Sequence, residues 1–426
     1  MMRIHCEIDV FSSLSERCPD VYALLKRCGE LAGEEWDVYV VGGLVRDALL
    51  GLDSRDIDIV VTERAEAYAR KLTDALSGQL TFHESFRTSS VRCGDTVLDV
   101  VQARRETYAY PGALPEVFCS TLEDDLRRRD FTANSLAAVL NPKHFGALAE
   151  CGGYADLREG RLRIWHERSF IDDPTRIFRA VKYMVRCDWR LTPDTRAAAL
   201  EAVASGALGT ISAARLWREL RLILQERKAA ACLRHLRDWG ILAALDAPID
   251  EESSVWSRLE RAEALQSGSG DLRLSDCRRA QLMLGLLLSG CKEEKALLWL
   301  EKLSCSKTDK DAYKKSRQAS ALIPVLADAG LSMAERAFAL KDADDVSLAV
   351  LTCFGLEAEA AEAVAAYAAQ RRRMSPWADG RLLAQIGVPP GPVYGKLLRE
   401  AWIAQFEGRI GSREEARRLI EVLLNA

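Results

Sequence analysis

The segment VYVVGGLVRDALLGLDSRDIDIVV, residues 38 to 61, constrains the fold more than any other stretch of the chain. Two β-branched apolar runs flank a diglycine, Gly42-Gly43, and a helix-like stretch, LVRDALLG. The local order is therefore strand, tight turn, helix, strand. The second run carries Asp56 and Asp58 among apolar residues. Residues two apart on a strand project from one face, so the two carboxylates repel each other unless a cation lies between them. Hard oxygen ligands of this kind suit Mg2+, which accepts few protein ligands and keeps room for water and a triphosphate. An ion held there can activate a hydroxyl nucleophile and neutralise a leaving pyrophosphate. Taken alone, an aspartate pair is weak evidence, since most such pairs are turn or surface carboxylates.

The diglycine also has two readings. Glycines between a strand and a helix let backbone N–H groups approach an anion closely, and Arg46, one turn into the helix, adds a charged hydrogen bond to phosphate. The plainer reading is a tight turn followed by a surface arginine. Asp99, in the strand candidate TVLDVV, is a possible third carboxylate whose part in a metal site the sequence leaves open.

Residues 14 to 31 read as an opening helix interrupted by Pro19, and ERAEAYARKLTDAL as an amphipathic helix between strands. LTFHES, SSVRCG and TVLDVVQA are further short strand candidates. After about residue 141 proline and glycine thin out, and long stretches rich in Ala, Leu and Arg predict an almost wholly helical remainder. Breaks fall at residues 140 to 146, 246 to 254 and 330 to 335, which divides the chain into 1–140, 141–245, 246–335 and 336–426. Several domains are expected of 426 residues in any case.

Composition excludes several classes. Apolar residues at 48% and charged ones at 29% fit a globular protein rather than a disordered or membrane one. No apolar run reaches the length of a membrane span and MMRIHCEIDV leads into no apolar stretch, so a cytoplasmic location without membrane attachment is expected. The 12 cysteines stand singly and the five histidines carry no motif, which disfavours zinc and a disulfide framework. A net charge of −4 argues weakly against nucleic-acid binding, yet is compatible with a local basic face.

In order along the chain, VVGGLVRDALLG with DIDIV, ARRETY, LEDDLRRRDFTANSLA and FIDDPTRIFRAVKY resemble the motifs of the class II tRNA nucleotidyltransferase and bacterial poly(A) polymerase family. The resemblance spans roughly residues 36 to 220, with a weaker match at GPVYGKLLREAWIAQFEGRIGSREEA. It implies an α+β, polymerase-β-like nucleotidyltransferase head (1–140) followed by all-α neck (141–245), body (246–335) and tail (336–426) domains. It assigns Asp56 and Asp58 to catalysis and Mg2+. Gly42, Gly43, Arg46, Arg129 and Asp130 go to the nucleotide, with Asp130 at the ribose.

Asp172-Asp173-Pro174-Thr175-Arg176 matches the family's EDxxR segment, in which side chains select the base. Asp173 and Arg176 are three apart, so both fit one helix face. Arg donates to N3 of cytosine or N1 of adenine and Asp accepts from the exocyclic amine, whereas uracil and guanine present the reverse pattern. One residue pair then takes both CTP and ATP. Arg179 and Lys182 continue the face, and the resemblance assigns them to the nucleotide too. Asp172 stands where the family usually has Glu, Lys182 where Arg is usual, and Ala214 where Glu is usual.

The implied activity is addition of C, A or both to a tRNA 3′ end. Members that add only CC or only the last A, a poly(A) polymerase, and an inactive RNA-binding scaffold are the alternatives. Mixed charge over residues 341 to 426, with QRRRM as the compact basic run, disfavours a binder of long RNA.

Overall fold

The computed structural model describes residues 2–54, 56–83, 88–249, 253–268 and 272–425. The end of the LTFHES candidate and part of the break expected at 246 to 254 lie outside the described residues. The chain forms two compact units, one running to Ser212 and including Asp238–Leu245, the other made of Ala213–Arg237 and the residues from Asp246 on.

Among the described residues the main sheet of the first unit has eight strands: β1 (Arg3–Asp9), β2 (Val38–Val41), β3 (Ile57–Val61), β4 (Gln79–His83), β5 (Thr88–Cys93), β6 (Thr96–Gln102), β9 (Leu136–Val139) and β10 (Ala147–Glu150). Their order is β1-β10-β9-β2-β3-β6-β5-β4. β3 and β6 run parallel, and the other neighbours are antiparallel. β7 (Arg104–Thr107) and β8 (Glu116–Cys119) form a separate pair, as do β11 (Arg161–Leu162) and β12 (Arg190–Leu191).

The helices of this unit's first part are α1 (Leu14–Arg17), α2 (Pro19–Ala32), α3 (Gly43–Leu49), α4 (Ala65–Ala75), α5 (Leu122–Arg127), α6 (Tyr154–Arg158), α7 (Ser169–Asp172) and α8 (Thr175–Cys187). Pro19 splits the opening helix, as expected, by starting α2 at its first position, where its missing N–H costs nothing. The sheet's middle strands are buried on both faces, which is why their sequences are continuous apolar runs rather than alternating ones. Leu122 and Leu126 of α5 cover one face against Tyr39, Val41 and Val60. α3 and α4 pack on the sheet through β2, β3, β5 and β6.

The remainder is less purely helical than the sequence predicts. β10 lies beyond residue 141 and completes the sheet, and β11 and β12 follow. β9 and β10, LAAV and ALAE, are alanine-rich and read locally as helix. Their burial within the sheet overrides that preference.

Among the described residues the second unit is helical throughout. One of its cores stacks Trp402 on Phe406, with Phe338 and Tyr367 around them. Another gathers Leu383, Leu397, Ala404 and Ile420. Ser412 accepts from the Glu415 N–H, which is half of a capping box, while the Glu415 side chain accepts from the Gly411 N–H. No helix is long and apolar enough to cross a membrane among the described residues.

Candidate active site

A cleft of about 800 Å³ opens in the first unit, and every residue that the sequence singles out for metal or nucleotide lines it, from Gly42 to Lys182. Its size suits a small-molecule ligand. The turn between β2 and α3 forms one wall. Gly42 has φ 74° and ψ −128°, a conformation open to glycine alone. A Cβ there would lie 2.7 Å from Arg129 Nη1 and 3.7 Å from Asp58 Oδ2, so the turn closes directly on both side chains. Arg46 is not a surface residue: it is 4% exposed, donates from Nη1 to Asn134 Oδ1 (2.9 Å) and pairs with Asp47 (2.7 Å).

Asp58 lies on β3 and Asp56 immediately before it, rather than both within the strand. Burial pushes the Asp58 carboxyl above the ordinary carboxylate range. Arg129 opposes this, and Asp56 and Asp99 add to it. Asp99 faces Asp58 in parallel register on β6 and accepts from Ser90 Oγ (2.5 Å), outside the cleft lining. Neighbouring acids around a buried carboxylate are oxygen donors whose repulsion a divalent cation would relieve, so the residues present fit such an ion.

The run RRRD, which in isolation reads as an exposed helical charge stripe, turns inward after α5 ends at Arg127. Arg128 donates from Nε and Nη2 to Asp125 Oδ1 (3.0 and 2.9 Å) and from Nη1 to Glu106 Oε1 (2.8 Å). Arg129 donates to the other oxygen of Asp125 (3.1 Å), which is fully buried. Asp130 accepts through Oδ1 from the Phe131 N–H (2.9 Å) and Asn134 Nδ2 (3.0 Å), and through Oδ2 from Arg179 Nε (2.6 Å). Burial works to raise its carboxyl, but Arg179, the Asn134 hydrogen bond and Arg176 outweigh it and hold it down at about 2. At neutral pH Asp130 is therefore an acceptor only.

Asp173 sits ahead of α8 rather than on its face. It connects α7 to α8, and its Oδ1 accepts from the Thr175 N–H (3.2 Å) and Oγ1 (2.6 Å). Arg176, in the first turn of α8, is buried. It donates from Nη1 to Ser169 Oγ (2.6 Å) and from Nη2 to the Arg128 carbonyl (2.9 Å). These bonds orient both members of the pair before any ligand arrives. Lys182 is also buried on α8.

The sequence reading missed Asp125, Asn134 and Tyr183. Asn134 lies within the quoted DFTANS run. Tyr183 is four residues beyond Arg179 on the same helical face, a spacing that points to it.

Residues 38–163 match the family described as the poly A polymerase head domain, and residues 189–246 match the probable RNA and SrmB-binding site of polymerase A. An A-adding tRNA nucleotidyltransferase of Halalkalibacterium halodurans is 37% identical over 254 residues, covering 58% of this chain and 59% of that protein. One from Geobacter sulfurreducens is 29% identical over 408 residues, covering 93% of this chain and 46% of that protein. The chain thus spans about half the length of these curated relatives. A solved CCA-adding enzyme in its apo form aligns over 100% of both chains with a TM-score of 0.78 at 28% identity. The ordered motifs and the mixed-sheet head with its helical remainder agree with these matches: residues 38–163 form a poly A polymerase head domain, in a chain similar along its length to solved CCA-adding enzymes.

Proposed function

We propose that the chain is a tRNA nucleotidyltransferase that adds C, A or both to a tRNA 3′ end from CTP and ATP, without a nucleic-acid template and in the cytoplasm. The 3′ oxygen bonds to the α-phosphorus, the bond to the β-phosphate oxygen breaks, and pyrophosphate leaves. The observation that supports this reading is a cleft lined together by the Asp56 and Asp58 carboxylates, the diglycine turn, and Asp173 with Arg176.

In this reading Asp56 and Asp58 hold Mg2+, which when bound supplies charge neutralisation on the triphosphate and a more acidic attacking hydroxyl. Gly42 and Gly43 let backbone approach phosphate, and Arg46, Arg129, Arg179 and Lys182 bring positive charge to it. Asp130, kept ionised, accepts from a ribose hydroxyl and favours ribonucleotides. Asp173 and Arg176 read the amino edge of cytosine or adenine, and uracil or guanine would leave like groups facing each other. The neck, body and tail expected at 141–245, 246–335 and 336–426 then hold the acceptor arm of tRNA through backbone contacts.

A narrower reading, addition of the terminal A alone, is favoured by the A-adding relatives. Incubation with tRNA ending at the discriminator base, or already ending in CC, with CTP and ATP separately and together, tests both. Extension of only the CC-ended tRNA, with ATP, selects the narrower reading, whereas no extension of either refutes the proposal. Asp56→Ala should abolish incorporation while RNA binding persists, and normal incorporation by that variant would remove the metal role.

A further inference from the structure

Arg46 comes from α3, and Arg179 and Lys182 from α8, yet all three cations converge on one ring. Their charged groups lie 4.9, 5.6 and 5.8 Å from the centroid of Tyr183. The ring lines the cleft, is 6% exposed, and is met edge-on by fully buried Phe131 (centroids 6.0 Å, 87°). Its hydroxyl accepts from Arg179 Nη2 (3.1 Å) while Nε of the same guanidinium donates to Asp130, so the fork is pinned at two points.

We propose that Tyr183 is a positioning residue that gathers Arg46, Arg179 and Lys182 into one cationic wall for the phosphates of an incoming nucleoside triphosphate. The proposal rests on the nucleotidyl-transfer reading above. Like charges brought together out of water repel, and something must offset that. A further carboxylate would do so but would also cancel the positive potential and repel the triphosphate. The face of an aromatic ring attracts cations while carrying no net charge, so it holds the cluster and leaves its field intact. Asp47 and Asp130 already balance Arg46 and Arg179 individually. What the ring adds is their common orientation toward the cleft, together with Lys182.

The test is titration of the full chain with CTP, ATP and CMP in Mg2+, by calorimetry, for wild type, Tyr183→Phe and Tyr183→Leu. The phenylalanine variant keeps the ring and should bind CTP within about fivefold of wild type, the loss expected for one hydrogen bond. The leucine variant should lose about 10- to 100-fold for CTP and ATP and far less for CMP, since three cation–ring contacts fail together. In tRNA extension its nucleotide KM should rise by a similar factor with kcat nearly unchanged, the mark of lost uniform binding. Wild-type CTP affinity in the leucine variant, or equal loss for CTP and CMP, overturns the proposal. Tyr183→Met, unbranched and better able to fill an irregular gap, takes its place if the leucine variant unfolds. Should wild type bind triphosphates but extend no tRNA, the nucleotidyl-transfer reading fails while the binding comparison still decides the role of Tyr183.

Discussion

Replacing Asp130 by Asn tests a carboxylate of the cleft that three donors hold in place. Its carboxyl is held at about 2 against an ordinary 3.8, so the ionised form is favoured in the folded protein by roughly 2.5 kcal/mol. Because the folded value is depressed, this contribution is complete above about pH 4 and disappears as pH falls toward 2. The amide has one acceptor oxygen where the carboxylate has two, so its NH2 must face Arg179 Nε or the pair formed by Asn134 Nδ2 and the Phe131 N–H. A donor facing a donor adds to the lost charge, and the total should approach about 3 kcal/mol at pH 7. The N–H groups of Asn134 and Ser135 bond to the Phe131 and Thr132 carbonyls beside this network. Native-state hydrogen exchange at these two amides should therefore lose about 100-fold in protection. On the proposed reading of Asp130 at the ribose, discrimination of ribonucleotides from deoxyribonucleotides should fall in the same variant. Protection within about threefold of wild type at pH 7 would refute the reasoning.

Gly42→Ala places a side chain at a φ of 74° and 2.7 Å from Arg129 Nη1. Arg129 should swing aside and incorporation fall at least tenfold, as single-turnover extension would measure. Arg176→Lys cannot keep both the Ser169 and Arg128 contacts and still present a planar fork. Discrimination of CTP over UTP, read from misincorporation rates, should drop by about 10- to 100-fold. Gly112→Ala sets a Cβ 2.2 Å from Thr210 Oγ1 at φ 75°, where the Gly112 N–H otherwise donates to the Asp172 carbonyl (3.1 Å). The strain of about 1–3 kcal/mol should release the segment around Tyr110, and limited proteolysis there should quicken. An unchanged cleavage rate would show that the contact does not hold the loop.

The parts that the sequence revealed and the parts that it concealed differ in how far along the chain their causes lie. The strand at 38–41, the glycine turn and the strand at 57–61 are local: β-branched runs buried on both sides and a backbone angle open only to glycine leave their mark in adjacent letters. LAAV and ALAE become strands only because distant neighbours close around them, and RIHCEID, largely exposed at the sheet edge, alternates too weakly to stand out. The cleft divides in the same way. Asp56, Asp58, Asp173 and Arg176 sit in short motifs whose chemistry constrains their spacing. Asp125, Asn134 and Tyr183 act by fixing the orientation of Asp130 and of the surrounding arginines, across as many as 137 positions in the case of Arg46 and Tyr183 (183 − 46). Nothing in spacing alone reports a partner so far away. The residues that short motifs assign to a ligand are thus the readable ones, whereas the contacts that hold them across long stretches of chain emerge on folding, which is why the supporting ring and carboxylates are where substitution will say most about how the cleft is organised.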